Sequence, residues 1–161
     1  MSNLDFETLR ATRAGNPEAV AQALAQRSRR ELLGADGRLL LVAADHPARA
    51  ALGIGKSALA MADREDLLER LAVALRNPSV DGVLATPDII DDLALLGLLE
   101  NKIVVGSMNR GGLRWAVFEM DDRFGSYSID SMVKAGLDFA KTLTRIHFQA
   151  EGTANTLQAT T

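Results

Sequence analysis

Asp45 and His46 stand directly behind the apolar run Leu39-Leu40-Leu41-Val42-Ala43-Ala44 and directly before Pro47. A carboxylate in that place can take or give a proton, and an imidazole beside it can relay one. The apolar run reads as a strand buried on both faces, as in a parallel sheet. The C-terminal end of such a strand is where open α/β sheets and (β/α) barrels hold their chemistry. Pro47 stops the strand because it has no amide hydrogen to donate. The plainer reading of the same residues is a loop capped by Asp45 with a solvated His46.

Other candidates follow the same logic. Ser107-Met108-Asn109-Arg110-Gly111-Gly112 trails a second apolar run, Ile103-Val104-Val105. Its glycine pair frees backbone amides, and Arg110 has the fork geometry that grips a carboxylate or phosphate with two bonds. Over Lys141 to Phe148, Arg145 and His147 alternate with Thr144 and Ile146, so both point to one face of an expected strand. On an interior face Arg145 reaches a substrate; elsewhere it makes an ion pair. Asp45 is therefore the expected catalytic residue. His46, Ser107, Asn109, Arg110 and Arg145 are the expected substrate-binding residues.

Two lysines bear on covalent chemistry, since a desolvated lysine can form a Schiff base. Lys141 begins its expected strand, which places it at the wrong, N-terminal end of a sheet. Lys134 lies on a helix exterior. Neither is expected to act. Gly53-Ile54-Gly55-Lys56-Ser57 resembles the end of a phosphate-binding loop. Ala50, however, stands where the first glycine of that loop belongs, and Asp45 to Ala50 separate the motif from its strand. A glycine-hinged loop is the expectation. Nucleotide binding through Gly55-Lys56-Ser57 is the alternative, and Gly53, Gly55 and Ser57 touching a sugar phosphate is a weaker form of it. Glu119, Asp121 and Asp122 have oxygen ligands for a hard cation, but a charge run is ordinarily a solvated surface, so no metal is expected.

These residues need elements to hold them. Asn16-Pro17-Glu18 starts a leading helix expected over 16–33, stopped by Gly34. Strands are expected at Leu39–Ala44, Val80–Ala85, Lys102–Gly106 and Lys141–Phe148. Helices are expected at Asp63–Asn77, Ile89–Leu99 (capped by Asp88) and Ser128–Phe139. Strand–helix alternation of this kind implies parallel strands joined by crossovers. The stretch Leu113–Tyr127 reads as a loop or hairpin. Residues 149–161 lack an apolar face and read as a frayed tail, which leaves the fourth strand without cover.

Composition narrows the function classes. The 161 residues suffice for one domain with a core. A net charge of -3 argues against polyanion binding, and 4% aromatic content argues against stacking on single strands. The absence of cysteine removes disulfides and thiolate metal sites. No apolar stretch approaches the ~20 residues that span a bilayer, and the acidic start lacks a signal-peptide pattern. A cytoplasmic protein that binds neither nucleic acid nor membrane is expected.

Leu41-Val42-Ala43-Ala44-Asp45-His46-Pro47, Asp81-Gly82-Val83-Leu84-Ala85-Thr86-Pro87 and Val105-Gly106-Ser107-Met108-Asn109-Arg110-Gly111-Gly112 occur in that order. On these motifs the chain resembles the class I aldolase superfamily of (β/α)8 fold, which includes deoxyribose-phosphate, fructose-bisphosphate and tagatose-bisphosphate aldolases. Within it, the likeness is to an actinobacterial branch associated with sugar or inositol catabolism. It covers Arg30 to about Gln158. The resemblance implies an α/β fold that is the N-terminal half of a TIM barrel: about four parallel strands, outer helices and one leading helix. It implies carbon–carbon lyase chemistry on a sugar phosphate through a lysine Schiff base, with no cofactor. Asp45 would assist proton transfer. In that superfamily the reactive lysine lies on strand six, beyond these residues, and the phosphate-binding strands seven and eight are also beyond them. The expectation is thus a chain inactive alone, partnered by a missing half-barrel or by further copies of itself. A non-catalytic self-associating half-barrel is the alternative.

Overall fold

A computed structural model describes residues 4–109 and 123–161. Two short helices come first, α1 (Phe6–Gly15) and α2 (Glu18–Gln26), where the sequence predicts one helix over 16–33. Asp5 caps α1 by accepting from the Thr8 amide at 2.9 Å. The second helix stops at Arg27, well before Gly34, because Arg27 turns extended (φ -58, ψ 137) and sends its guanidinium beneath the sheet.

The sheet has four parallel strands in chain order: β1 (Leu41–Ala43), β2 (Gly82–Ala85), β3 (Ile103–Ser107) and β4 (Phe139–Lys141). Between them lie α3 (Arg64–Arg76), α4 (Pro87–Leu95) and α5 (Ile129–Ala135), and α6 (Gly152–Thr160) follows. The alternation is as predicted. Asp63 caps α3 through the Asp66 amide, and Pro87 in the first turn of α4 sits where its missing N–H costs nothing. The cap of α4 is Thr86, not Asp88.

Strand register sorts the side chains into two faces. Val83, Ala85 and Val104 join Leu68, Leu71, Ile90 and Leu93 of the helices in one buried cluster. Gly106 lies on the same face because Tyr127, Met132 and Leu137 come so close that a Cβ there would meet all three within 3 Å. Leu41, Ala43, Leu84, Ile103, Val105, Ser107, Phe139 and Lys141 alternate onto the opposite face. Ala43 and Phe139 are exposed there. This corrects the reading of β1 as buried on both sides: it lies at the edge of the sheet, with Leu41 and Val42 only half-buried and Ala43 exposed.

Three further expectations change. Strand β4 ends at Lys141 rather than starting there, because Gly136 closes α5 in the left-handed region (φ 64) and the next residues pair at once with Val105–Ser107. Residues 142–148, including Arg145 and His147, lie outside any strand. The predicted frayed tail carries α6, with Thr156 buried and the His147 amide donating to Thr153 Oγ1 at 2.9 Å. Among the described residues no helix is long and apolar enough to cross a membrane.

Candidate functional site

The C-terminal rim of the sheet gathers four polar residues from three strands. Asp45 follows β1, Ser107 ends β3, Lys141 ends β4, and His46 opens a short 3-10 turn, His46–Arg49. Lys141 Nζ donates to Asp45 Oδ2 at 2.6 Å. Asp45 is buried, and the Lys141 side chain keeps 22% of its exposure, so the pair is shielded yet reachable from solvent. His46 Nδ1 lies 3.6 Å from the other carboxylate oxygen, Asp45 Oδ1. Ser107 is paired in register with Lys141 and is fully buried; its hydroxyl lies 3.2 Å from the Asn109 carbonyl oxygen.

Lys141 is the residue sequence reasoning placed at the wrong end. Alternating polar and apolar residues from 141 to 148 imitate a strand, whereas the pairing segment is the short Phe139-Ala140-Lys141. The signal that identifies it is Gly136 followed by Asp138. The glycine ends the helix, and the Asp138 carboxylate accepts the Val104 amide at 2.9 Å, fixing where β4 begins.

The other predicted site residues are placed less favourably. Asn109 is buried with its amide engaged on the backbone of Leu143, donating to the carbonyl at 2.8 Å and accepting from the N–H at 2.7 Å. It thus extends the β3–β4 pairing past the strand ends. Arg145 is half-buried on the segment after β4 rather than on the strand. Arg110, and with it Glu119, Asp121 and Asp122, lies outside the described residues. Lys134 is exposed on α5, as expected. The Gly53–Ser57 segment forms a small turn in which Ile54 and Ser57 pair antiparallel and Gly55 takes φ 56. It neither follows a strand directly nor opens a helix, the context a phosphate loop requires. Among the described residues no group of three or more His, Asp or Glu could hold a metal ion.

Asp88, Asp91 and Asp92 on α4 form a second charged cluster on the helix side. Asp92 is buried between Arg13 (2.7 Å) and Arg64 (2.8 Å), tying α1 and α3 to α4. Burial pushes the Asp91 carboxyl up despite Arg13 nearby. Burial would also raise Asp88, but hydrogen bonds from Arg64 and Thr86 hold it below the usual range. With two arginines locked onto Asp92, the cluster fastens helices together and presents no arrangement for catalysis.

The chain is similar to Cgl0159 from Corynebacterium glutamicum (Brevibacterium flavum), whose crystal structure superposes with a TM-score of 0.93 at 64% identity. The match covers 96% of this chain and 52% of that one, so the chain spans about half the length of this relative. No curated protein matches it. The family model described as Cgl0159-like matches residues 37–161, a span that holds all four strands and the whole rim, and the chain belongs to the Cgl0159-like family.

Proposed function

We propose that this chain is the N-terminal half of an aldolase-type (β/α)8 barrel and that its rim serves a carbon–carbon lyase reaction on a sugar phosphate through a lysine Schiff base. The observation that carries the reading is the Lys141–Asp45 contact at 2.6 Å. These residues end the two edge strands. Three strand spacings of about 4.8 Å put those strands roughly 14 Å apart in a flat sheet. A direct contact over β2 and β3 favours a sheet curled toward the face that carries Leu84, Val105 and Ser107, as a barrel wall is. Unbroken strand order, parallel pairing and polar residues collected at the C-terminal ends support the same reading.

The pair suits Schiff-base chemistry. Asp45 takes a proton from the Lys141 ammonium, and the free amine adds to a ketone carbonyl. Asp45 returns that proton to the departing hydroxyl, which leaves as water and gives an iminium ion. Asp45, again a carboxylate, then accepts the proton of the hydroxyl β to the iminium carbon. The carbon–carbon bond breaks, its electron pair forms an enamine, and an aldehyde departs. Protonation and hydrolysis of the enamine restore the amine. His46, beside Asp45, is placed to pass protons to solvent. This assigns the nucleophile to strand four, where the superfamily resemblance points to strand six. It makes chemistry by this chain itself testable.

The test is reduction with borohydride in the presence of dihydroxyacetone phosphate, followed by peptide mass mapping. A reduced adduct on Lys141, lost in Lys141→Arg, is expected. An unmodified Lys141 at saturating ketone would overturn the assignment.

A second reading, a self-associating half-barrel, is favoured by the outer edges of β1 and β4, which pair with no strand among the described residues, and by exposed Leu40 and Phe139 beside them. Light scattering that finds only monomer at micromolar concentration would remove it.

A further inference from the structure

Covered arginines among the described residues are engaged. Arg27 leaves its Nε–H unmet, but its terminal nitrogens donate to the carbonyl oxygens of Lys102 (3.0 Å) and Gly136 (2.8 Å) and to Asp138 (3.0 Å). The half-buried Arg13 reaches both Asp91 and Asp92. Arg49 is the exception. It is half-buried, its Nε–H is buried without an acceptor, and its guanidinium makes no ion pair among the described residues. Covering a cationic donor without a partner is unfavourable, so the position calls for an anion from elsewhere.

Its place says which anion would profit. Arg49 ends the 3-10 turn that begins at His46. Such a turn has three residues per revolution, so residues three apart eclipse and Arg49 lies on the same side as His46. His46 in turn stands 3.6 Å from Asp45. The two residues between them, Pro47 and Ala48, line a different cavity of about 220 Å³ with Met61, Thr86 and Ile89. The turn is also held. The Ala50 amide donates to the Pro47 carbonyl at 3.0 Å, the Ala51 amide donates to the His46 carbonyl at 3.2 Å, and Ala50 occupies the left-handed region at φ 59. Few alanines adopt that conformation. Arg49 is therefore presented by a fixed backbone, three residues past His46 in the turn that follows β1.

We propose that Arg49 anchors the phosphate monoester of the substrate at the rim, holding it while the carbonyl meets Lys141. The planar guanidinium matches phosphate oxygens with parallel hydrogen bonds. The proposal rests on the lyase reading for the identity of the substrate, and on the unpartnered guanidinium alone for the anion.

Inorganic phosphate titrated into the intact chain is the first probe, followed through the Arg49 Nε–Hε resonance, which needs no variant. That resonance should move with saturation, and Arg49→Gln should weaken phosphate binding by about 10-fold or more, with Arg49→Lys between. A stationary resonance, or equal affinity in Arg49→Gln, would overturn the site. Borohydride trapping separates it from the lyase reading. Arg49→Gln should lower adduct yield with dihydroxyacetone phosphate by about 10-fold and leave the yield with unphosphorylated dihydroxyacetone unchanged. No adduct with either ketone, alongside Arg49-dependent phosphate binding, would retire the lyase reading and keep the anion site. Equal loss with both ketones would count against Arg49 as the phosphate anchor.

Discussion

The two ends of this sheet use charge differently. At the N-terminal end, Arg27, Arg29 and Arg30 follow α2 as a strap beneath the strands. Arg27 and Arg29 both reach Asp138, just before β4, and Arg30 pairs with Asp81, just before β2. Asp138 also accepts the Val104 amide, and Asp81 accepts the Leu40 amide at 2.7 Å, so two carboxylates tie all four strand starts to the strap. At the C-terminal end a single contact joins Asp45 to Lys141, His46 stands beyond hydrogen-bond distance, and Arg49 has a donor unmet. The N-terminal network fixes strands through carboxylates shared by several donors, although Arg27 keeps its Nε–H unmet there; at the C-terminal rim Arg49 has no partner among the described residues. The N-terminal rim is thus tied together by shared carboxylates, and the C-terminal rim is the one proposed to meet a ligand.

Mutation should break the two rims in different ways. Asp138→Ala leaves the buried Arg27 guanidinium without its carboxylate, and loss of one partner of such a pair costs about 3–5 kcal/mol. We expect a large fall in the urea midpoint, or no folded baseline. Gly82→Ala should come next. A Cβ there would strike the carbonyl oxygen of Ile103, a backbone atom that cannot swing away, so β2 and β3 must separate locally. Overpacking of this kind costs about 1–3 kcal/mol, readable as faster amide exchange along both strands.

Acid should act on the N-terminal rim too. Burial alone would raise Asp138, but hydrogen bonds from Arg29 and the Val104 amide and the charge of Arg27 hold it below the usual carboxylate range. Its stabilisation is fully present above the unfolded value of about 4 and is lost as pH falls through the lowered folded value. Asp91 has the opposite sign. Burial raises it, so its contribution is present below about pH 4 and is lost as pH rises through the raised value. Asp91→Asn should therefore flatten the decline in stability that begins just above about pH 4 and leave the acid limb in place. At the C-terminal rim, Asp45→Asn keeps an oxygen acceptor opposite Lys141, whose side chain still reaches solvent, and should change stability by only about 1–2 kcal/mol. The same substitution should lower adduct formation by ~10²-fold. A midpoint shift as large as that of Asp138→Ala would erase the contrast between the rims.

What the sequence disclosed, and what it hid, follows from the range of the forces involved. The strand–helix alternation, the Asp45 position and the α3 span were legible because local patterning and caps set them. The end of α2 at Arg27 was not, since contacts to residues 102, 136 and 138 draw that arginine out of helical geometry. The bounds of β4 misled for a similar reason: three residues pair, and the longer alternation after them does not. Asn109 looked like a substrate ligand because nothing local shows that its amide matches the backbone of Leu143, 34 residues on. Arg49 had no signal in its neighbours; unlike Arg27, it joins an unmet covered donor to a guanidinium with no ion pair among the described residues.

Borohydride reduction of the purified chain with dihydroxyacetone phosphate, mapped by mass spectrometry in wild type and Asp45→Asn, tests the central claim most directly. The account predicts one reduced adduct on Lys141 in wild type and about 10²-fold less in the variant. An unmodified Lys141, or equal adduct in both proteins, would contradict it.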